Sequence, residues 1–407
     1  MNDFIVALIF YLYALCLTGI RTWRTKLVTD PSVECDWERE YHLYEDMLKG
    51  NWKELQNHEM VSSSITVALF PYLIHRLTHL NSELVFKIFP SFISALVPVF
   101  IYFIARQFLD IGYSAMASFY VLCTFFFLYS GILGRMGIAL GFMSGVLYFL
   151  LIGNTLVASL LVVLVVVTHY GTSHYLLYIL TTSWIIMMII TPGLTPNDIS
   201  IFTVLAVLAL SIFIWHRIIF KHTGDVMLGN LREALFFTSR TLDAPIYIPA
   251  PDGSLIIRPY GKDEGKGKAH ALFELEHRDP IVQVAFGRTW QYLNILQKIE
   301  FVLSWLTVVL MIAGLILSIL WMGITFYIIL ALVAFSSIVI SVAIPHVSIY
   351  YGVARTYLTA LVLLAPCFVV GIEALANIME VNGYVLGFSL IVMYGFCVSK
   401  VLKRRSR

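Results

Sequence analysis

Residues 4–20 read Phe4-Ile-Val-Ala-Leu-Ile-Phe-Tyr-Leu-Tyr-Ala-Leu-Cys-Leu-Thr-Gly-Ile20, and a little further on the chain reads Cys35-Asp-Trp-Glu-Arg-Glu-Tyr41. The first stretch is apolar almost throughout. It is long enough for a membrane helix, since a span takes about 20 such residues and fewer when its ends snorkel. It carries no basic leader and no small-residue cleavage site, so it reads as a retained first helix and not as a signal peptide. The second stretch sets Asp36, Glu38 and Glu40 just beyond that helix. Carboxylates at i, i+2 and i+4 can converge on one proton or one cation, and a membrane enzyme needs its base outside the lipid.

The rest of the chain repeats the apolar theme. Of 407 residues, 59% are hydrophobic and only 13% charged, a balance with too little polar surface for a soluble domain. About eleven apolar runs are long enough to span. They lie near 4–20, 85–105, 113–131, 137–152, 154–168, 174–191, 199–220, 299–320, 323–345, 355–377 and 383–401. The expected fold is therefore an all-α polytopic membrane protein. The net charge of +2 comes without a clustered basic face, which argues against a nucleic-acid partner. Four of the five cysteines, Cys16, Cys123, Cys367 and Cys397, fall inside apolar runs, and no pair has zinc or disulfide-framework spacing.

Two segments are too polar to span. Residues 21–84 carry the acidic cluster and then an expected interfacial helix over Val61 to Leu80, interrupted by Pro71, His75, Arg76 and His79. Residues 221–298 form an expected small mixed α/β extramembrane insertion between helices 7 and 8. It opens with an amphipathic helix over 229–240 and continues with a hairpin turning at Pro251-Asp252-Gly253. The chain thus divides into an N-terminal membrane module (1–220), the insertion (221–298) and a C-terminal membrane module (299–407). Counting crossings puts the acidic loop, Arg135, the stretch His169-Tyr-Gly-Thr-Ser-His174, the insertion and Tyr350 to Arg355 on one side. The opposite side has short turns. A transporter would more often bury its polar groups at mid-bilayer, in broken helices.

In this order the chain resembles the GT-C superfamily of integral-membrane glycosyltransferases, in particular an archaeal branch of large membrane proteins. The resemblance rests on an acidic Asp-x-x-x-Glu-Tyr at Asp36, Glu40 and Tyr41, and on a Gly-x-Trp at Gly50 to Trp52. Further on it rests on Val85 to Pro98, the His169-Tyr-Gly-Thr-Ser-His174 motif and the Arg355 to Pro366 stretch. It implies a multi-pass cell-membrane enzyme with an extracellular active site. It also implies a polyprenyl-phosphate-linked sugar as donor and an acidic residue of the first loop as base. The chain ends soon after its last span, which favours transfer to a lipid or glycan acceptor over glycosylation of a peptide.

Such a transfer needs a base for the acceptor hydroxyl, cations for the departing phosphate and exclusion of water. Asp36 is the expected general base and Glu40 its partner. Arg135, in Gly134-Arg-Met-Gly137, and Arg355 are the expected phosphate ligands, because a guanidinium grips phosphate bidentately. His169, His174 and Tyr41 are expected substrate contacts. The spacing of His169 and His174 does not indicate a metal site, and one acidic loop leaves open whether Mg or Mn takes part, because such a site needs more oxygen ligands than the loop alone supplies. Some members of the superfamily use a divalent metal and others none. Lys87 reads as a snorkelling residue and Glu373 as a helix-end or packing residue near the opposite face. The alternative reading is a non-catalytic carrier or transporter of a lipid-linked glycan, with charged residues lining a mid-membrane cavity.

Overall fold

The computed structural model describes residues 2–24, 36–51, 64–124, 127, 134–190, 196–220, 246–249, 255–258, 295–343 and 353–405. The chain folds as a multi-pass helical membrane protein. Among the described residues seven helices are long and apolar enough to cross a membrane, and four shorter apolar helices accompany them. The first, α1 (Asp3–Arg24), points Phe4, Ile9, Leu12 and Ile20 outward. Exposed aliphatics on a helix that satisfies its own backbone hydrogen bonds are what a lipid-facing surface requires.

Helix α2 (Asp36–Lys49) follows, then α3 (Thr66–Thr78), α4 (Ser82–Ser94) and α5 (Leu96–Ala105). The acidic stretch expected as a loop is therefore helical from Asp36 onward. The reason lies in the apolar residues among its charges: Leu43, Tyr44 and Met47 recur at helical spacing and are fully buried. Helix α3 falls within the interfacial helix expected over residues 61–80, of which 61–63 lie outside the described residues. It buries Thr66, Val67, Ala68 and Pro71 and ends on a left-handed His79. The two short helices α4 and α5 form one apolar stretch, with Asn81 capping its start through Leu84 N–H.

The middle of the molecule is built by α6 (Ile111–Cys123), α7 (Gly134–Leu151), α8 (Thr155–Thr168) and α9 (Tyr170–Ile190). Next comes α10 (Pro196–Ile212), which runs on as a π-helical segment over Phe213–Ile219. Helix α7 is enclosed on every side, by α4, α5 and α8 above all. Its glycines make this possible: a Cβ at Gly141 would strike the carbonyl oxygen of Ile93, and one at Gly145 would crowd Leu161 and Phe100.

Four helices complete the bundle: α11 (Ile295–Met322), α12 (Phe326–Ala343), α13 (Val353–Ile378) and α14 (Gly383–Arg405). Helix α13 is the second enclosed span. It packs on α11, α12, α14 and α6, and α12 packs on α9, so one apolar core runs through both parts of the chain. The α11–α13 seam is closest where a Cβ on Gly314 would collide with the Cys367 carbonyl and one on Gly371 with that of Leu310.

Of the segment between α10 and α11, the structure describes β1 (Ile246–Pro249) and β2 (Leu255–Arg258). They pair antiparallel with Ile246 opposite Arg258 and Pro249 opposite Leu255. The expected amphipathic helix over 229–240 and the turn residues 251–253 lie outside the described residues, as do Cys35, Trp52 and Tyr350.

Candidate functional site

The end of the bundle that receives α2 gathers its buried ionisable groups. Glu40 lies one turn ahead of Leu43 and Tyr44 on α2, on the face that the helix turns into the protein, and is fully buried. The Tyr44 hydroxyl donates to the Ser82 carbonyl at 3.1 Å and its ring stacks on Phe86, which fixes α2 against the start of α4. Held this way, a Glu40 carboxylate oxygen lies 3.4 Å from Nε of Arg135, itself almost wholly enclosed. Desolvating two charges costs several kcal/mol per ion, so such a pair forms only where packing on both sides enforces it.

Arg135 stands in the first turn of α7, inside the helix and not between two helices as its sequence context implies. Arg355 stands in the first turn of α13. The two spans most enclosed by protein each therefore begin with an arginine. A helix start already carries partial positive charge, so a cation there is disfavoured unless an anion faces it. Glu40 meets that need at Arg135. Arg355 is half-buried and makes no ion pair among the described residues.

The corner from α8 to α9 carries the next buried ionisable group. His169 occupies it in extended conformation and is buried. Thr172 N–H donates to its Nδ1 at 3.1 Å, and the Thr172 hydroxyl lies 2.8 Å from the same atom. The imidazole thus caps α9 in the way a serine or aspartate ordinarily would. Nδ1 accepts, so the proton of the neutral ring sits on Nε2. Burial, and after it the charges of Arg135 and Arg355, hold the His169 pKa well below the usual histidine range.

Hydroxyls and further imidazoles surround this corner. The Thr66 hydroxyl on α3 donates to that of Thr168 at 2.8 Å, and Ser64 lies fully buried just before α3. His174 stands in the first turns of α9, where the sequence suggested a loop, with Nδ1 2.7 Å from the Tyr170 carbonyl. Its ring lies 5.8 Å from that of His216, centroid to centroid. His216 is buried in the π-helical continuation of α10.

The remaining candidates fall as follows. Asp36 opens α2 one turn ahead of Glu40; its side chain, like that of Glu38, lies outside the described residues. Tyr41 is half-buried against Tyr44 and Phe86, and burial raises its phenol pKa. Lys87 pairs with Glu83 at 2.7 Å along α4. Glu373 lies near the far end of α13 from Arg355, about 27 Å along the axis at 1.5 Å per residue. At that opposite end Asp3 binds Tyr102 and Arg106, and the Tyr384 hydroxyl donates to Asp110 at 2.8 Å. Among the described residues no group of three His, Cys, Asp or Glu side chains could hold a metal ion.

The sequence reading did not single out His216, Thr66 or Thr168. His216 sits in an apolar run, and only the packing of α10 on α9 brings it to His174. A polar residue within such a run was the available signal. Comparison of the chain with protein-family models and with curated proteins returns no match.

Proposed function

We propose that the chain is a GT-C-type membrane glycosyltransferase that moves a sugar from a polyprenyl-phosphate donor to a lipid or glycan acceptor. In this reading it crosses the cell membrane eleven times, carries a mixed α/β insertion after the seventh crossing and works at the extracellular face. The observation that carries the proposal is the buried Glu40–Arg135 pair beside His169, in the field of Arg355. It joins the acidic segment after the first span to the arginine heading a later one.

In the proposed reaction the Asp36 carboxylate takes the proton of the acceptor hydroxyl as that oxygen attacks the anomeric carbon. The bond from that carbon to the phosphate oxygen breaks, and polyprenyl phosphate leaves with the bonding electrons. Arg355, whose positive charge has no ion-pair partner among the described residues, holds the departing phosphate, with Arg135 behind it. Glu40 orients Arg135. His169, His174 and Tyr41 line the substrate. Mg or Mn serves some members of the superfamily; among the described residues no group of three His, Cys, Asp or Glu side chains could hold one.

Tyr120, Leu306, Phe368 and Tyr394 line a small apolar void in the core, too small for a lipid chain. The Tyr120 hydroxyl at its edge lies 3.1 Å from that of Tyr357, two residues beyond Arg355. The carrier reading asks for charges at mid-bilayer, whereas the cluster described above sits at helix ends.

The test is an assay of the purified, reconstituted protein with a mixed pool of polyprenyl-phosphate sugars, read by mass spectrometry. Consumption of one donor is expected, and none by the D36N variant. No donor consumed under any acceptor condition, or full activity in D36N, counts against the proposal.

A further inference from the structure

His216 stands apart from the other imidazoles of the cluster. It is 1% exposed, and neither ring nitrogen has a hydrogen-bond partner among the described residues. Burying a polar ring without partners is costly, and in folded proteins such groups are rare. It also stands in a π-helical segment, Phe213–Ile219, closed by Phe220 N–H donating to the Trp215 carbonyl five residues back at 2.8 Å. Turns of this kind are uncommon and concentrate at functional sites.

The atoms around it define what it faces. His174 donates its Nδ1 proton to the Tyr170 carbonyl, which can only accept, so its Nε2 is a lone-pair acceptor. His169 accepts at Nδ1 from Thr172 N–H, so its Nε2 carries a proton and donates. His216 adds one further donor and one further acceptor when neutral. Together these rings offer both hydrogen-bonding senses, with His174 and His216 in ring contact at 5.8 Å.

That chemistry selects among ligands. A phosphate oxygen only accepts, so it would leave the acceptor nitrogens unused. A metal cation needs several converging ligands, and among the described residues no group of three His, Cys, Asp or Glu side chains could hold one. A hydroxyl both donates and accepts, and adjacent hydroxyls of a sugar ring would use donors and acceptors together. We infer that His216, with His174 and His169, is the subsite that binds the hydroxyls of the transferred sugar. This deepens the donor reading above and rests on it. His216 selects for a glycosyl group on the lipid phosphate, while the arginines hold the phosphate itself.

The test is native mass spectrometry of the full chain in detergent, with bare polyprenyl phosphate and its glucose and mannose esters as probes. Wild type is expected to bind at least one ester about tenfold more tightly than the bare lipid, the scale of one or two hydrogen bonds. H216F abolishes that preference and leaves the affinity for bare lipid unchanged. H216Q, which keeps a donor and an acceptor, retains part of it. The thermal midpoint of H216F stays level or rises, because it removes buried polar atoms without partners.

An undiminished preference in H216F overturns the inference, as does an equal loss for both lipids or no preference in wild type. Zinc ion bound by wild type and lost in H216F, with lipid binding unaffected, makes the pair a metal site and also overturns it. Failure of wild type to bind any of the lipids is a separate outcome: it defeats the donor reading, and this subsite with it.

Discussion

Glu40 and Arg135 meet as a buried ion pair, Oε1 to Nε 3.4 Å, across the contact between the helix after the first span and the most enclosed span of the bundle. Removing one partner strands the other charge away from water, which costs about 3–5 kcal/mol. E40Q and R135M are each expected to lower the thermal midpoint in detergent sharply. The double variant E40L/R135M, apolar on both sides, recovers most of that loss, because a buried pair is worth little against well-packed apolar groups. Donor consumption does not recover with it. Thermal unfolding of the three variants beside the transfer assay separates the two effects.

The two arginines are expected to respond differently. Arg135 is matched by Glu40, whereas Arg355 is half-buried without an ion pair among the described residues. R355Q is expected to weaken binding of polyprenyl phosphate about tenfold, the worth of one charge-assisted hydrogen bond, with little change in stability. Lipid titration of R355Q against wild type at low and high salt checks this. A loss of stability comparable to that of R135M would assign Arg355 to the scaffold instead.

His169 gives a pH signature. Burial and the neighbouring arginine charges lower its folded-state pKa, so the folded protein refuses a proton that the unfolded chain takes up near pH 6.5. Its contribution is fully present above that pH and is lost as pH falls below it, by up to about 1.4 kcal/mol per pH unit. H169N keeps an acceptor for Thr172 N–H and has no proton to gain. The thermal midpoint is therefore expected to fall less steeply between pH 6.5 and 5 in H169N than in wild type.

The seam between α11 and α13 depends on the absence of side chains. A Cβ at Gly314 would run into the Cys367 carbonyl, and backbone cannot step aside as a flexible side chain can. Gly314→Val is expected to destabilise by about 1–3 kcal/mol through overpacking. It also displaces Arg355 at the head of α13, so the thermal midpoint and donor affinity fall together. Gly323→Ala lies at a left-handed turn with open space around it, and strains only the local backbone. It serves as the comparison in both measurements.

The membrane character of the chain could be read from linear pattern, because a span announces itself by composition over a window of residues. The ranges around 4–20, 137–152 and 355–377 fall on helices α1, α7 and α13. Local patterning was harder to read where charges and apolar residues alternate. Asp36, Glu38 and Glu40 obscure the helical period of Leu43, Tyr44 and Met47, so an amphipathic helix reads as a loop in the linear sequence. Glu40 and Arg135 were each singled out for their chemistry, yet nothing in their spacing says that one neutralises the other.

Hydropathy and residue type belong to the chain as a string, and they mark its membrane character and which side chains carry charge. Which of those side chains touch is a matter of how helices turn and cross. The enclosure of α7 through Gly141 and Gly145, the tight α11–α13 seam and the approach of α10 to α9 all depend on packing between segments far apart in the chain. Only that packing pairs Glu40 with Arg135 and sets His216 beside His174. The physical reason is that an ion pair or a ring contact depends on three-dimensional distance, and the periodicity of one helix cannot specify its neighbour.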